Sequence, residues 1–230
     1  MKTTVITPKE NLIKITILAI LFITLLLKST FVDAQRQMGL EAQFGVQSFD
    51  ISSDIEAING MSVAQEGGSL GLVYGGNVFR THLQFAGFYY SSASVKRTVD
   101  QFRAGFYTTF HPVELVTGHA VKVSPYTITG ASYTDLRFFG HYLDAPEAKV
   151  NYSTGNEPYI GSVKKINARV GLGLEWNKRI ESSFIQVYGE VVYGAPLDQS
   201  TNRTVLANTT SSSTMAVQVG VRAGIVKRKR

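Results

Sequence analysis

Cysteine is absent from the 230-residue chain. No disulfide, thiolate metal site, cysteine nucleophile or lipid-modified N-terminal cysteine is therefore available. Charge is also sparse, at 17% of residues. The net charge of +6 includes +2 from the first 34 residues, where Lys2, Lys9, Lys14 and Lys28 face Glu10 and Asp33. So small an excess, with no basic cluster before the closing "KRKR", leaves no electrostatic footprint for nucleic acid. After residue 34, no stretch is apolar and long enough for a transmembrane helix, and helical periodicity is missing. Metal-ligand spacings, a phosphate-binding glycine loop and a nucleotide fingerprint are all lacking, so no cofactor and no metal is expected. The "GLG" at 171–173 lies inside a strand pattern and is no such loop.

The one long apolar run is "ITILAILFITLLL" (15–27). Lysines precede it, and a short polar region ending "VDA" (Val32 to Ala34) follows. Thirteen apolar residues suit the core of a secretory signal and fall short of a membrane span. This predicts a signal peptide over 1–34 and one exported domain over 35–230. An uncleaved signal anchor is the alternative.

What recurs in the exported part is a period of two, the mark of a strand with unlike faces. Eight segments show it: 40–48, 68–75, 79–90, 101–110, 121–133, 166–176, 184–193 and 215–226. In "INARVGLGLEW" (166–176), Ile166, Ala168, Val170, Leu172, Leu174 and Trp176 alternate with Asn167, Arg169, Gly171, Gly173 and Glu175. The fifth segment is the least regular, and Pro125 in it marks a bulge or a strand end. Between segments, "GN" (Gly76 and Asn77) is a tight hairpin turn. The "NKRIESS" connection (177–183) is short, while about 49–67, about 134–164 and 194–214 are long. The 91–100 and 111–120 connections are comparable, the latter reading as a turn flanked by His111 and His119.

Eight strands of about ten residues joined as hairpins make an all-β, antiparallel up-and-down barrel. A soluble barrel would point its apolar face inward and cover its outside with charge. A membrane barrel points that face at lipid. The polar faces here hold glycine, glutamine and asparagine with one or two charges each, unlike a solvated exterior. Aromatics stand near the ends of the apolar faces: Tyr74, Phe79, Phe110 and Trp176 beside the mostly short connections, Tyr89 and Tyr193 beside the long ones. Such rings prefer the headgroup level. Long connections at one end and shorter ones at the other fit an outer-membrane barrel with membrane lipid as its partner. A soluble secreted lipid-binding barrel remains the alternative.

With its layout and the stretches "SPYTITGASY", "ARVGLGLEW" and "VQVGVRAGI", the chain resembles the small eight-stranded outer-membrane barrels of OmpA/OmpX type. The resemblance is especially to the outer membrane protein β-barrel domain proteins of Bacteroidetes-like bacteria, and it covers about 37–226. It implies a bacterial outer-membrane location and handling by the barrel-assembly machinery. That machinery commonly reads a terminal aromatic residue, whereas this chain ends "GIVKRKR".

An eight-stranded interior is just wide enough for side chains to fill it. The charges expected inside are Glu41, Arg80, His82, Arg103, Lys122, Arg169, Glu175, Glu190 and Arg222. Confined charges must pair, and glycines at 45, 71, 105, 130, 171, 173, 220 and 224 would leave room for long side chains. The expectation is a hydrogen-bonded plug; a narrow transport pore is the alternative. For catalysis, His82 has no nearby serine on its face, and His141 with Asp144 in "FFGHYLD" reads as a packed loop, so no catalytic residues are expected. Function would then rest with the surface loops, chiefly 134–164 and 194–214, meeting an extracellular ligand or surface partner.

Overall fold

The computed structural model describes residues 35–54, 59–92, 97–140, 159–201, 206 and 208–228. The expected signal segment 1–34, much of the longest loop including His141 and Asp144, and residues 202–205 lie outside them. The strands are β1 (Gln35–Ser52), β2 (Met61–Gly75), β3 (Phe79–Ser92) and β4 (Arg97–Phe110). After a short helix α1 (Pro112–Thr117) come β5 (Val123–Gly140), β6 (Tyr159–Ile180) and β7 (Ser183–Thr201). A two-residue strand β8 (Thr210–Ser211) precedes β9 (Thr214–Arg228).

Each long strand pairs antiparallel with the next. β9 pairs with β7 and β1, and β1 pairs with β2, so eight long strands close into an up-and-down barrel. β8 only extends the edge of β1 through Ile51 and Ser52. Closure leaves no long strand with an unpaired edge, a condition for backbone in hydrocarbon. Both ends of the barrel sequence and the connections 76–78, 111–122 and 181–182 lie at one end, called here the turn end. The other connections lie at the loop end.

Inside and outside follow the period of two. On β1, Gln37, Glu41, Gln43 and Gln47 are buried while Met38, Leu40, Phe44 and Val46 are exposed. Leu40, Leu70 and Leu172 are 67%, 70% and 67% exposed, values no water-facing surface would hold on every strand. The apolar band runs from Ile166 to Trp176 on β6 and from Met215 to Ile225 on β9. That matches the roughly 9–11 residues a tilted strand needs to cross a bilayer core.

The strands are longer than the alternation of apolar-out residues predicts, and the connections correspondingly shorter. β1 continues to Ser52 and β2 begins at Met61, so the expected 49–67 connection shrinks to 53–60. Likewise β5 runs to Gly140 and β6 begins at Tyr159 within the expected 134–164 connection, and β7 takes in 194–201 of the expected 194–214 connection. The reason is a change of sign. Near the loop end the same inward positions turn apolar: Phe49, Ile51, Val63, Val99, Leu136, Phe138 and Val163 cluster inside, joined by Leu206. Their outward neighbours Asp50, Ser62, Arg137 and Lys164 reach water. The barrel therefore projects past the lipid band as an ordinary water-facing sheet closed on an apolar core. A further difference, and one agreement, concern the turn end. The stretch after His111 holds helix α1, started by Pro112 and stopped by Gly118 at φ 72°, rather than a plain turn. Pro125 lies near the start of β5, as a strand end requires.

Candidate functional site

The chemistry-bearing residues converge on the lumen, in two layers. The layer nearer the turn end is a carboxylate–guanidinium network. Arg80 Nη1 donates to both carboxylate oxygens of Glu175, at 2.8 and 2.7 Å. Arg222 donates from Nε to Glu41 Oε2 at 3.1 Å and from Nη1 to Glu175 Oε2 at 3.2 Å, and its Nη2 lies 3.9 Å from Glu190. Its guanidinium also stacks 3.6 Å above the Tyr188 ring. Glu41 further accepts from Tyr107, and Glu190 from Gln43 and Tyr126. These charged side chains are almost fully buried. Buried charge of this density persists only when paired and hydrogen-bonded, and here three carboxylates share two guanidiniums.

Eight of the nine charges expected in the lumen are buried there: Glu41, Arg80, His82, Arg103, Arg169, Glu175, Glu190 and Arg222. Lys122 is a correction. It is exposed in the segment between α1 and β5, because β5 begins only at Val123. Lys165, absent from the expected set, is buried and donates to Ser211 Oγ at 2.8 Å. It fell at the margin of a stretch read as loop. Also absent from that set were His111 and Glu114, which close the turn end. The glutamines of the polar faces, Gln43 and Gln84 among them, are buried in the lumen beside the charges.

His82 has a catalytic look. Its Nδ1 lies 2.9 Å from Glu41 Oε2, its Nε2 lies 3.3 Å from Thr109 Oγ1, and its ring stacks on Tyr107. A hydroxyl, an imidazole and a carboxylate in line resemble an activated nucleophile. All three residues are at most 2% exposed.

Next to it, His111 Nδ1 lies 3.8 Å from both Glu114 Oε2 and Glu175 Oε1, and Ser124 Oγ donates to Glu114 at 2.6 Å. This trio could offer three ligand atoms to a cation. Burial, with Arg80 and Arg222 close by, holds the His111 imidazole well below its usual range. Burial raises the Glu114 carboxyl. Glu175 is already engaged by two guanidiniums, so a cation here would displace an existing partner.

Glycines make room where side chains pack hardest. A Cβ on Gly173 would come within 2.2 Å of the Tyr126 ring, and one on Gly220 within 2.5 Å of the Tyr188 hydroxyl. Gly173→Val is expected to destabilise the barrel by about 1–3 kcal/mol through overpacking, read as a lower denaturant midpoint in detergent or vesicles.

Of the expected aromatics, Tyr74, Tyr89, Trp176 and Tyr193 are exposed on the outside, and Phe79 and Phe110 are partly covered, their rings 5.0 Å apart. Tyr74, Phe79, Phe110 and Trp176 stand toward the turn end, Tyr89 and Tyr193 toward the loop end.

A barrel apolar outside, polar inside and closed on itself is a transmembrane β-barrel, with the fold of the small eight-stranded outer-membrane barrels. No family model and no curated protein matches the chain. Among solved structures it is similar to Neisserial surface protein A, with 13% identity and a TM-score of 0.44, over 80% of this chain and 95% of that one. It is also similar to Ail, the attachment invasion locus protein of Yersinia pestis, in complex with a heparin analogue, with 14% identity, a TM-score of 0.42, and 84% and 99% coverage. A major outer membrane protein from Thermus thermophilus gives 10% identity, a TM-score of 0.45, and 84% and 99% coverage.

Proposed function

We propose that the protein is an integral barrel of a bacterial outer membrane, exported by its first 34 residues and inserted by the barrel-assembly machinery. It neither conducts nor catalyses, and it acts through its loop end as a surface-interaction scaffold. The exposed rings from Tyr74 to Tyr193 then form two interfacial girdles. The observation that carries the non-conducting reading is the apolar cluster of Phe49, Ile51, Val63, Val99, Leu136, Phe138, Val163 and Leu206 across the loop-end lumen. An ion crossing it would shed its water with no polar group to replace it. Below it a hydrogen-bonded network of side chains crosses the lumen, which suits eight strands. The sealed Glu41–His82–Thr109 arrangement supports a structural role for those residues rather than a catalytic one. For the loop end, support comes from an open cleft of about 350 Å³ at the rim, where Asp50, Asn59, Thr210 and Ser212 offer polar contacts.

Single-channel recording of the purified protein in a planar bilayer tests this reading. No unitary conductance is expected. Steady openings that disappear when Phe138 or Leu136 is enlarged, or that grow when either becomes serine, would overturn it in favour of a pore.

A further inference from the structure

The layer of the lumen nearer the loop end breaks the pairing rule. Arg103 and Arg169 are 4% and 3% exposed, yet no described carboxylate oxygen lies within 4.0 Å of either guanidinium. They share one neutral acceptor, Gln84 Oε1, at 3.2 and 3.4 Å. Arg103 otherwise contacts Gln47 Oε1 at 3.4 Å and the Phe88 ring at 4.8 Å, and Arg169 faces the Tyr107 ring at 5.4 Å. With Gln218 turned to satisfy its neighbours, its oxygen accepts from Arg103 at 3.2 Å. Among the described residues Arg103 Nε has no hydrogen-bond partner. Lys165, one step nearer the loop end, is held by hydroxyls and a carbonyl rather than by a carboxylate. Among the described residues none of these three cations pairs directly with a carboxylate; Glu190 comes nearest to Arg103, through the Gln218 amide.

Between the two arginines lies a cavity of about 20 Å³, also lined by Ser132, Thr134, Asn167 and Thr214. That is room for at least one water-sized body. We propose that this cavity is a binding site for a single monatomic anion, chloride or another halide, which supplies the missing counter-charge. The guanidiniums donate to it and the Ser132 and Thr134 hydroxyls complete its shell. A buried positive layer without an anion would carry the full cost of like charges in low dielectric, and a halide reverses the sign of that term. This goes beyond the proposed function and stands apart from it, because a halide could sit there in a conducting or a sealed barrel.

The test is bromide binding to the protein purified in detergent, prepared with gluconate as the only other anion at constant ionic strength. Bromide nuclear magnetic resonance line broadening reads affinity, and anomalous scattering from bromide-containing crystals reads position. Saturable binding that chloride displaces, with one bromine beside Arg103 and Arg169, is expected. Arg169→Gln should weaken it roughly tenfold or more, the weight of one charge-assisted hydrogen bond. Should that variant fail to fold, Ser132→Val fills the cavity without removing charge and should also abolish binding. No saturable binding, a bromine elsewhere, or unchanged affinity in a folded variant would overturn the site. Conductance recorded beside an occupied site would overturn only the sealed-lumen reading.

Discussion

Replacing Arg222 with methionine should destabilise the folded barrel by about 3–5 kcal/mol, the range for breaking a buried ion pair and leaving its partners uncompensated. The expectation lies toward the top of that range. Arg222 reaches Glu41 at 3.1 Å, Glu175 at 3.2 Å and Glu190 at 3.9 Å, so one substitution takes a cation from carboxylates on three strands. Glu175 keeps Arg80, but Glu41 keeps only His82 and Tyr107, and Glu190 only neutral donors. The methionine would fill the volume over Tyr188, so the loss reads as electrostatic rather than as a cavity. Denaturant unfolding in lipid vesicles, followed by heat-dependent gel mobility, gives the number. Adding Glu41→Gln to Arg222→Met should recover part of the loss, since it removes a charge the first change left unpaired. A coupling near zero in that double-mutant cycle would mean the two groups do not hold each other. A loss for Arg222→Met under about 1 kcal/mol, the size of a surface pair, would mean the network does not hold the barrel together.

How far the sequence discloses this barrel depends on what each signal measures. Alternation reports which face a residue occupies, so the eight strands and most inward charges are legible within the lipid band. It fails where the environment changes sign. At Phe49 and Ile51 the inward face is still inward, but it now packs against Leu136 and Val163 instead of Gln47's polar layer. A reader following apolar-out residues sees the pattern stop and calls a loop. Lys122 fails for the opposite reason, because two polar-apolar steps before β5 imitate strand while lying outside it. Pairing is illegible altogether. Glu41 and Arg222 are 181 residues apart and meet only because β9 closes on β1. The placement of the paired charges toward the turn end and of cations held by neutral acceptors toward the loop end also needs strand register, since a list of inward charges carries no height.

The apolar exterior makes the second large prediction, and it separates the two environments an alternating barrel could occupy. Leu172→Arg should cost about 2–4 kcal/mol in a bilayer, because Leu172 stands midway between Ile166 and Trp176 in the lipid-facing band of β6. Ala64→Arg, also outward but on the water-facing extension of β2 opposite Ser48, should cost about 0–1 kcal/mol. The two substitutions add the same side chain to the same barrel. Only the surroundings differ, so the difference between them measures the hydrocarbon directly. If the band met water instead, an arginine at an exposed position would fall within about 0.5 kcal/mol, and both variants would behave alike. Paired unfolding titrations in vesicles decide between these outcomes. Equal midpoints would return the protein to the soluble class of barrels, and with it would go the proposed girdles and the outward-facing loop surface. A depth-dependent penalty, largest at Leu172 and fading toward Tyr193 and Trp176, is what a barrel buried in lipid to the height of its aromatic residues requires.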